Sequence, residues 1–218
     1  MQVIPVINCL DFGCVKKRLA QVGEIGSDWA HIDVSDGKFA PVKTWNSPEG
    51  FFKLLTTHHQ LQTNFEIHLM VEHPEDVFED WLKVGVKRII IHVESLRGRE
   101  GKLNLILEKC SEENVEVMLA IRPETKPEEL MPFLDALLFV QVLAVKPGFA
   151  GQRFDESAIQ KIIFLRELFP DITIEVDGGM NPETAKLARE AGANIVVSAS
   201  YIFESPNPQA AYELLLNL

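Results

Sequence analysis

Eight short apolar runs recur along the chain, with segments of helical character between them, and this alternation limits the fold more than any other feature. The runs fall at residues 3–8, 29–33, 64–70, 88–93, 116–121, 139–145, 173–176 and 195–198. Most are rich in Val, Ile and Leu, as expected of a parallel sheet covered on both faces. The intervening segments carry helix punctuation. Residues 74–84 open with Pro74, have acidic residues in the first turn and stop at Gly85. Residues 182–191 follow Asn181 as N-cap and end at Gly192. Helices are also expected over residues 126–134, 156–169 and 208–218. Eight strands alternating with eight helices predict a closed (β/α)₈ barrel, the TIM-barrel architecture, as one domain over residues 1–218; an open doubly wound sheet is the alternative.

Polar residues stand at the ends of these apolar runs. In HIDVSDG, side-chain alternation turns His31 and Asp33 to one face, and Ser35 follows if the strand persists, with Asp36-Gly37 as the turn. His68 lies in FEIHLMV, sharing a face with Glu66 and Met70. Asp177 ends IEVDGGM. Two histidines and two carboxylates form a suitable shell for a divalent metal, and the carboxylates can also move protons. The blander reading is a set of hydrogen-bonded polar residues in a barrel core. His92, in IIIHVES with Glu94 on the same face, is either a supporting contact or structural. Glycine-bearing loops follow the later strands: Gly148-Phe149-Ala150-Gly151, Gly178-Gly179 and the segment Ala199-Ser200. In a barrel they share one rim, where backbone N–H groups can meet a phosphate. His58, His59 and His73 read as solvated residues with no role.

A net charge of −11 argues against a nucleic-acid partner but not against a small phosphorylated one. Cys9, Cys14 and Cys110 lack CxxC spacing and are expected to be free thiols in a reducing compartment. Apolar runs stay well short of the ~20 residues of a membrane span, and the N-terminus lacks a basic segment followed by an apolar one, so a cytoplasmic protein is expected.

Taken in order, these segments resemble the ribulose-phosphate 3-epimerase family. HIDVSDGKFAP is similar to that family's HxDxMDGxFVP, EIHLMVEHPE to its HLMV segment, and VKPGFAGQRF to its PGFGGQxF loop. VDGGMN and GANIVVSASYIF are similar to its last two strands. The resemblance implies a metal-dependent barrel of the ribulose-phosphate-binding type that acts in carbohydrate metabolism, including the pentose phosphate pathway. It implies metal ligation by His31, Asp33, His68 and Asp177, proton transfer by Asp33 and Asp177, and substrate or phosphate contacts from Met70, Gly148, Phe149, Ala150, Gly151, Gly178, Gly179, Ala199 and Ser200. Zinc is the metal expected first; ferrous iron, manganese and cobalt suit the same shell. A small phosphorylated sugar is the expected substrate, and a homo-oligomer is expected, with neither nucleic acid nor membrane as partner.

The chain departs from the family pattern in the pocket wall. Val6 replaces a substrate-contacting serine, Asn8 stands where leucine is usual, and Ser35 and Leu143 replace two methionines, leaving Met70. Ala150 and Ala199 replace glycines. The reaction implied is inversion of C3 of D-ribulose 5-phosphate to D-xylulose 5-phosphate through an enediolate, one carboxylate on each face. The altered wall motivates a six-carbon ketose phosphate such as allulose 6-phosphate as alternative substrate. A phosphosugar-binding barrel without turnover is the rival outside catalysis. Related decarboxylases and synthases use a DxKxxD strand, and HIDVSDG has no lysine at the middle position.

Overall fold

The structure, a computed structural model, describes residues 1–57 and 62–218. Its strands are β1 (Gln2–Ile7), β2 (Trp29–Ser35), β3 (Asn64–Met70), β4 (Arg88–His92), β5 (Glu116–Ile121), β6 (Phe139–Leu143), β7 (Thr173–Asp177) and β8 (Ile195–Ser198). Each runs parallel to the next, and β8 returns to β1 in the register Gln2↔Ile195 to close a barrel. That pairing is the one an open doubly wound sheet would lack.

The outer layer comprises α1 (Phe12–Ile25), α2 (Pro48–Thr57), α3 (Phe78–Leu82), α4 (Val93–Leu96), α5 (Gly101–Glu112), α6 (Ser157–Leu168), α7 (Pro182–Ala191), α8 (Ser200–Phe203) and α9 (Pro208–Leu216). At the start of α7 the Asn181 side chain accepts from the N–H groups of Glu183 and Thr184, and Thr184 accepts from the Asn181 N–H in return. Gly192 ends that helix in the left-handed conformation. None of the described helices is long and apolar enough to cross a membrane.

Two helix expectations need correction. Residues 74–84 are not one helix: a 3₁₀ turn, Pro74–Asp76, is separated from α3 by Val77 at φ −126°. The break lets Phe78 and Trp81 both enter the core, each with no exposed surface. The segment after β5 is a 3₁₀ helix, Pro127–Ala136, with Pro132 inside it. Proline removes an N–H and clashes with the preceding turn, which disfavours α geometry there.

The cysteines also differ from expectation. Cys110 is free and buried, and burial pushes its thiol up to about 12. Cys9 and Cys14 are joined in a disulfide, with Cα atoms 5.7 Å apart. Asp11 caps α1 by accepting from the Cys14 N–H, and this tight entry into α1 returns Cys14 to within bonding reach of Cys9. The pair therefore gives no support to a reducing compartment.

Most of the core lies between the strands and the helices, where Phe51 packs edge-on against Phe65 at 5.1 Å and tilted against Trp81 at 5.9 Å. Side chains fill the barrel interior as well. Ile4, Val6, Ile195 and Val197 form one apolar wall, and Ile90, Met118, Ala120 and Leu143 another. Between these walls the interior is polar.

Candidate metal and proton-transfer site

Period-two alternation places His31 and Asp33 on the inward face of β2, and the β2–β3 register sets Asp33 beside His68. Asp177, the last residue of β7, reaches in from across the barrel. Asp33 Oδ1 lies 3.2 Å from His31 Nε2 and 3.1 Å from His68 Nδ1. Asp177 Oδ2 lies 3.6 Å from the same His68 nitrogen. One ligand atom from each of the four residues falls within 4.8 Å of all the others, a spacing suited to a shared cation.

Proton accounting tests whether a metal fits. The Glu94 carboxylate accepts from the Arg122 N–H at 2.9 Å, from the Thr125 hydroxyl, and from His92 Nδ1 at 3.0 Å. Burial pulls Glu94 upward, but the hydrogen bond from His92 and the other donors bring it down to about 2. His92 must then carry its proton on Nδ1. Burial lowers its affinity for a second proton, so its Nε2 is an acceptor. His92 Nε2 sits 2.9 Å from His68 Nε2, which must be the donor of that pair. Burial also keeps His68 neutral. Its Nδ1 therefore presents a bare lone pair toward two carboxylate oxygens. That arrangement is repulsive by itself and is what a cation between them would relieve. His31 has the matching orientation, with Nδ1 2.7 Å from Glu66 Oε1 and Nε2 toward Asp33, and loss of its Nε2 proton would free a second ligand. A ligating histidine oriented through its far nitrogen is the usual second contact of a metal site. The donor set fits a divalent metal.

The two aspartates differ in proton affinity. Burial raises Asp33, but the hydrogen bond and charge of His31 outweigh it and hold the carboxyl well below the ordinary range. Burial and the neighbouring Asp33 charge push Asp177 up to about 6. Carboxyl groups driven apart in this way can divide the roles of proton donor and acceptor.

Above this centre lies a cavity that gathers Met70 and all three loops: Gly148, Phe149, Ala150 and Gly151; Gly178 and Gly179; Ala199 and Ser200. Asp33 and Asp177 also line it, and Lys146 is the cationic side chain of its wall. Gly178 and Gly179 have φ of 110° and 66°. A Cβ on Gly178 would collide with Val145, and one on Gly179 would come within 2.6 Å of the Phe154 backbone nitrogen. Neither N–H of this pair meets a backbone acceptor among the described residues, so both are available to a ligand. Val6, Asn8 and Leu143, the altered wall positions, line the cavity too. Ser35 does not: it is fully buried, and its hydroxyl donates to the Val42 carbonyl at 2.5 Å.

Sequence reasoning missed the layer beneath. Glu66, Arg88, Gln141 and Glu175 all point inward with at most 3% exposure. Arg88 bonds Glu66 at 2.6 Å and Glu116 at 2.9 Å, lies 3.8 Å from Glu175, and packs its guanidinium 4.6 Å from the Trp29 ring centre and 4.5 Å from that of Phe139. The available signal was position: Glu66 and Glu175 each precede a site residue by two. His73 is half exposed and bonded to Arg99. His58 and His59 lie outside the described residues.

Residues 2–203 match the model of the ribulose-phosphate 3-epimerase family. The chain belongs to that family. It is 31% identical to the ribulose-phosphate 3-epimerase of Schizosaccharomyces pombe, across 99% of this chain and 92% of that protein. It is 32% identical to the cytoplasmic isoform of the same enzyme from rice (Oryza sativa subsp. japonica), across 95% and 89%. Among solved structures, 3-hexulose-6-phosphate synthase from Salmonella typhimurium superposes with a TM-score of 0.73 at 13% identity, covering 100% of this chain and 99% of the other. At that identity the likeness is one of fold alone. The expected closed barrel and the expected epimerase family thus both hold.

Proposed function

We propose that this protein interconverts D-ribulose 5-phosphate and D-xylulose 5-phosphate, one of Asp33 and Asp177 removing the C3 proton and the other delivering a proton to the opposite face. The observation that carries the reading is the pairing of these carboxylates, one low and one raised in proton affinity, around one histidine-lined ligand centre. Asp33 reaches in from β2 and Asp177 from β7, so a flat intermediate between them meets one carboxylate on each face. Inversion needs two such groups, because a single one returns the proton to the side it left. A divalent metal held by His31, Asp33, His68 and Asp177, zinc first, would supply positive charge opposite the oxygens of the enediolate. Met70, which lines the same cavity as Asp33, would exclude water from the reacting end. Backbone groups of Gly148, Phe149, Ala150, Gly151, Gly178, Gly179, Ala199 and Ser200 hold the phosphate, whose binding energy aligns the distant carbon.

The purified, metal-loaded protein is expected to convert both ketose phosphates and to exchange the C3 proton with deuterated solvent, and a chelator should abolish both. A higher kcat/KM for allulose 6-phosphate would replace the five-carbon reading with the six-carbon one. Sugar-phosphate binding without exchange would leave only a binding barrel. The single-domain reading is supported by the sharing of all eight strands in one barrel. The cytoplasmic reading is supported by the name of the rice relative, and the homo-oligomer by resemblance alone.

Metal affinity should depend steeply on pH. Although burial opposes it, the Asp33 and Glu66 carboxylates hold a proton on His31 well above the ordinary histidine range. Asp177 binds its own proton below about 6. Both protons must leave before these residues can ligate, so acid weakens binding. Apparent affinity should fall about tenfold per pH unit near neutrality and about a hundredfold per unit below about pH 6. Chelator competition on the metal-free protein measures this, and a flat profile would remove these groups from the ligand set.

A further inference from the structure

We propose that Asn8, the first residue beyond β1, is a positioning residue that fixes the Asp33 carboxylate for proton transfer. The inference rests on the epimerase reading for its kinetic part but not for its geometry.

The two oxygens of Asp33 face different ways. Oδ1 is directed to the histidines, 3.2 Å from His31 Nε2 and 3.1 Å from His68 Nδ1. Oδ2 accepts from the Asn8 side-chain amide at 2.7 Å, its sole hydrogen bond among the described residues. The same Asn8 nitrogen donates to the Gly148 carbonyl at 3.1 Å, on the loop beyond β6. Two acceptors around one nitrogen settle which way the amide faces, because the Asn8 oxygen could satisfy neither. Both N–H groups are then committed to protein acceptors, so Asn8 acts through Asp33 rather than by donating to a substrate.

The torsion that turns a carboxylate about its last carbon–carbon bond is intrinsically broad. Ligation through Oδ1 alone leaves Oδ2 free to swing. A charge-assisted bond at 2.7 Å removes that freedom and fixes the direction in which Oδ2 meets the cavity. The anchor at Gly148 holds Asn8 in turn, tying the carboxylate on β2 to the loop after β6. An aspartate that must receive or deliver a proton along one line gains rate from such restraint.

Two variants of nearly unchanged shape test the idea in the full chain: Asn8→Leu and Asn8→Asp, neither of which carries an N–H donor. At saturating zinc, with ribulose 5-phosphate, each should lower kcat by about ten- to a hundred-fold, the loss that follows removal of one hydrogen bond to a charged group, while KM stays within about threefold. Zinc affinity of the metal-free protein, read by chelator competition, should weaken about tenfold in Asn8→Leu. A space-filling residue would leave Asn8→Leu at the wild-type kcat, and that result overturns the proposal. So does a change confined to KM, which would make Asn8 a substrate contact. If the wild type itself fails to turn over, the epimerase reading falls, while zinc affinity still tests Asn8: an unchanged value in Asn8→Leu overturns the positioning role.

Discussion

Asp177→Asn should keep the barrel and lose at least about a thousandfold in kcat, within the range contributed by a positioned acid or base. Asparagine matches the size of aspartate and can still offer an oxygen at the end of β7, where Asp177 Oδ2 lies 3.6 Å from His68 Nδ1. Its amide cannot take up and release the C3 proton. Burial and Asp33 already make the charged form of Asp177 costly in the metal-free protein, so the neutral amide is not expected to harm folding, and the thermal midpoint should stay within a few degrees of wild type. Exchange of the C3 proton into deuterated solvent gives the decisive reading. A variant that exchanges and epimerises at wild-type rates takes Asp177 out of the chemistry.

Arg88→Met should produce the largest loss of stability. The guanidinium is 3% exposed, bonded to Glu66 at 2.6 Å and stacked between Trp29 and Phe139. Removing it strips Glu66 of its guanidinium and leaves His31 as its remaining cationic partner, and loss of one partner costs about 3–5 kcal/mol in comparable buried pairs. For a chain of this size, that corresponds to a fall in thermal midpoint of roughly 10 °C. The double variant Arg88→Met with Glu66→Gln should recover part of the loss, because the stranded charge is then gone. Equal melting of Arg88→Met and wild type would show that the pair contributes nothing net. Glu66 also orients His31, so a secondary loss of metal affinity should accompany the fall in stability.

The strands were legible because each is short, apolar and closed by a polar or glycine-bearing segment. The candidate ligands were legible for the same reason: His31, His68 and Asp177 interrupt or end runs that would otherwise be wholly apolar. Alternation alone paired His31 with Asp33. Contacts across strands were not legible, because they depend on register. Nothing in IIIHVES says that His92 will stand 2.9 Å from His68, and nothing in PVINCL says that Asn8 will reach Asp33. Arg88 looked like the polar start of a strand, yet the β3–β4 register sets it opposite Glu66. The helix over residues 74–84 failed because Phe78 and Trp81 gain more by turning inward than a regular helix at Val77 would return. The expected α-helix after β5 failed at Pro132.

The charged layer under the aspartates gives the barrel a floor. Glu66, Gln141 and Glu175 have no solvent-exposed surface, and Arg88 has almost none. Water arriving from the strand-start end therefore has no route to Asp33 or Asp177. On the proposed reading, a proton taken up by either aspartate would reach bulk solvent only through the mouth, which a bound sugar phosphate would narrow. Renewal of the protons on the two aspartates would then wait on the opening of the mouth between turnovers.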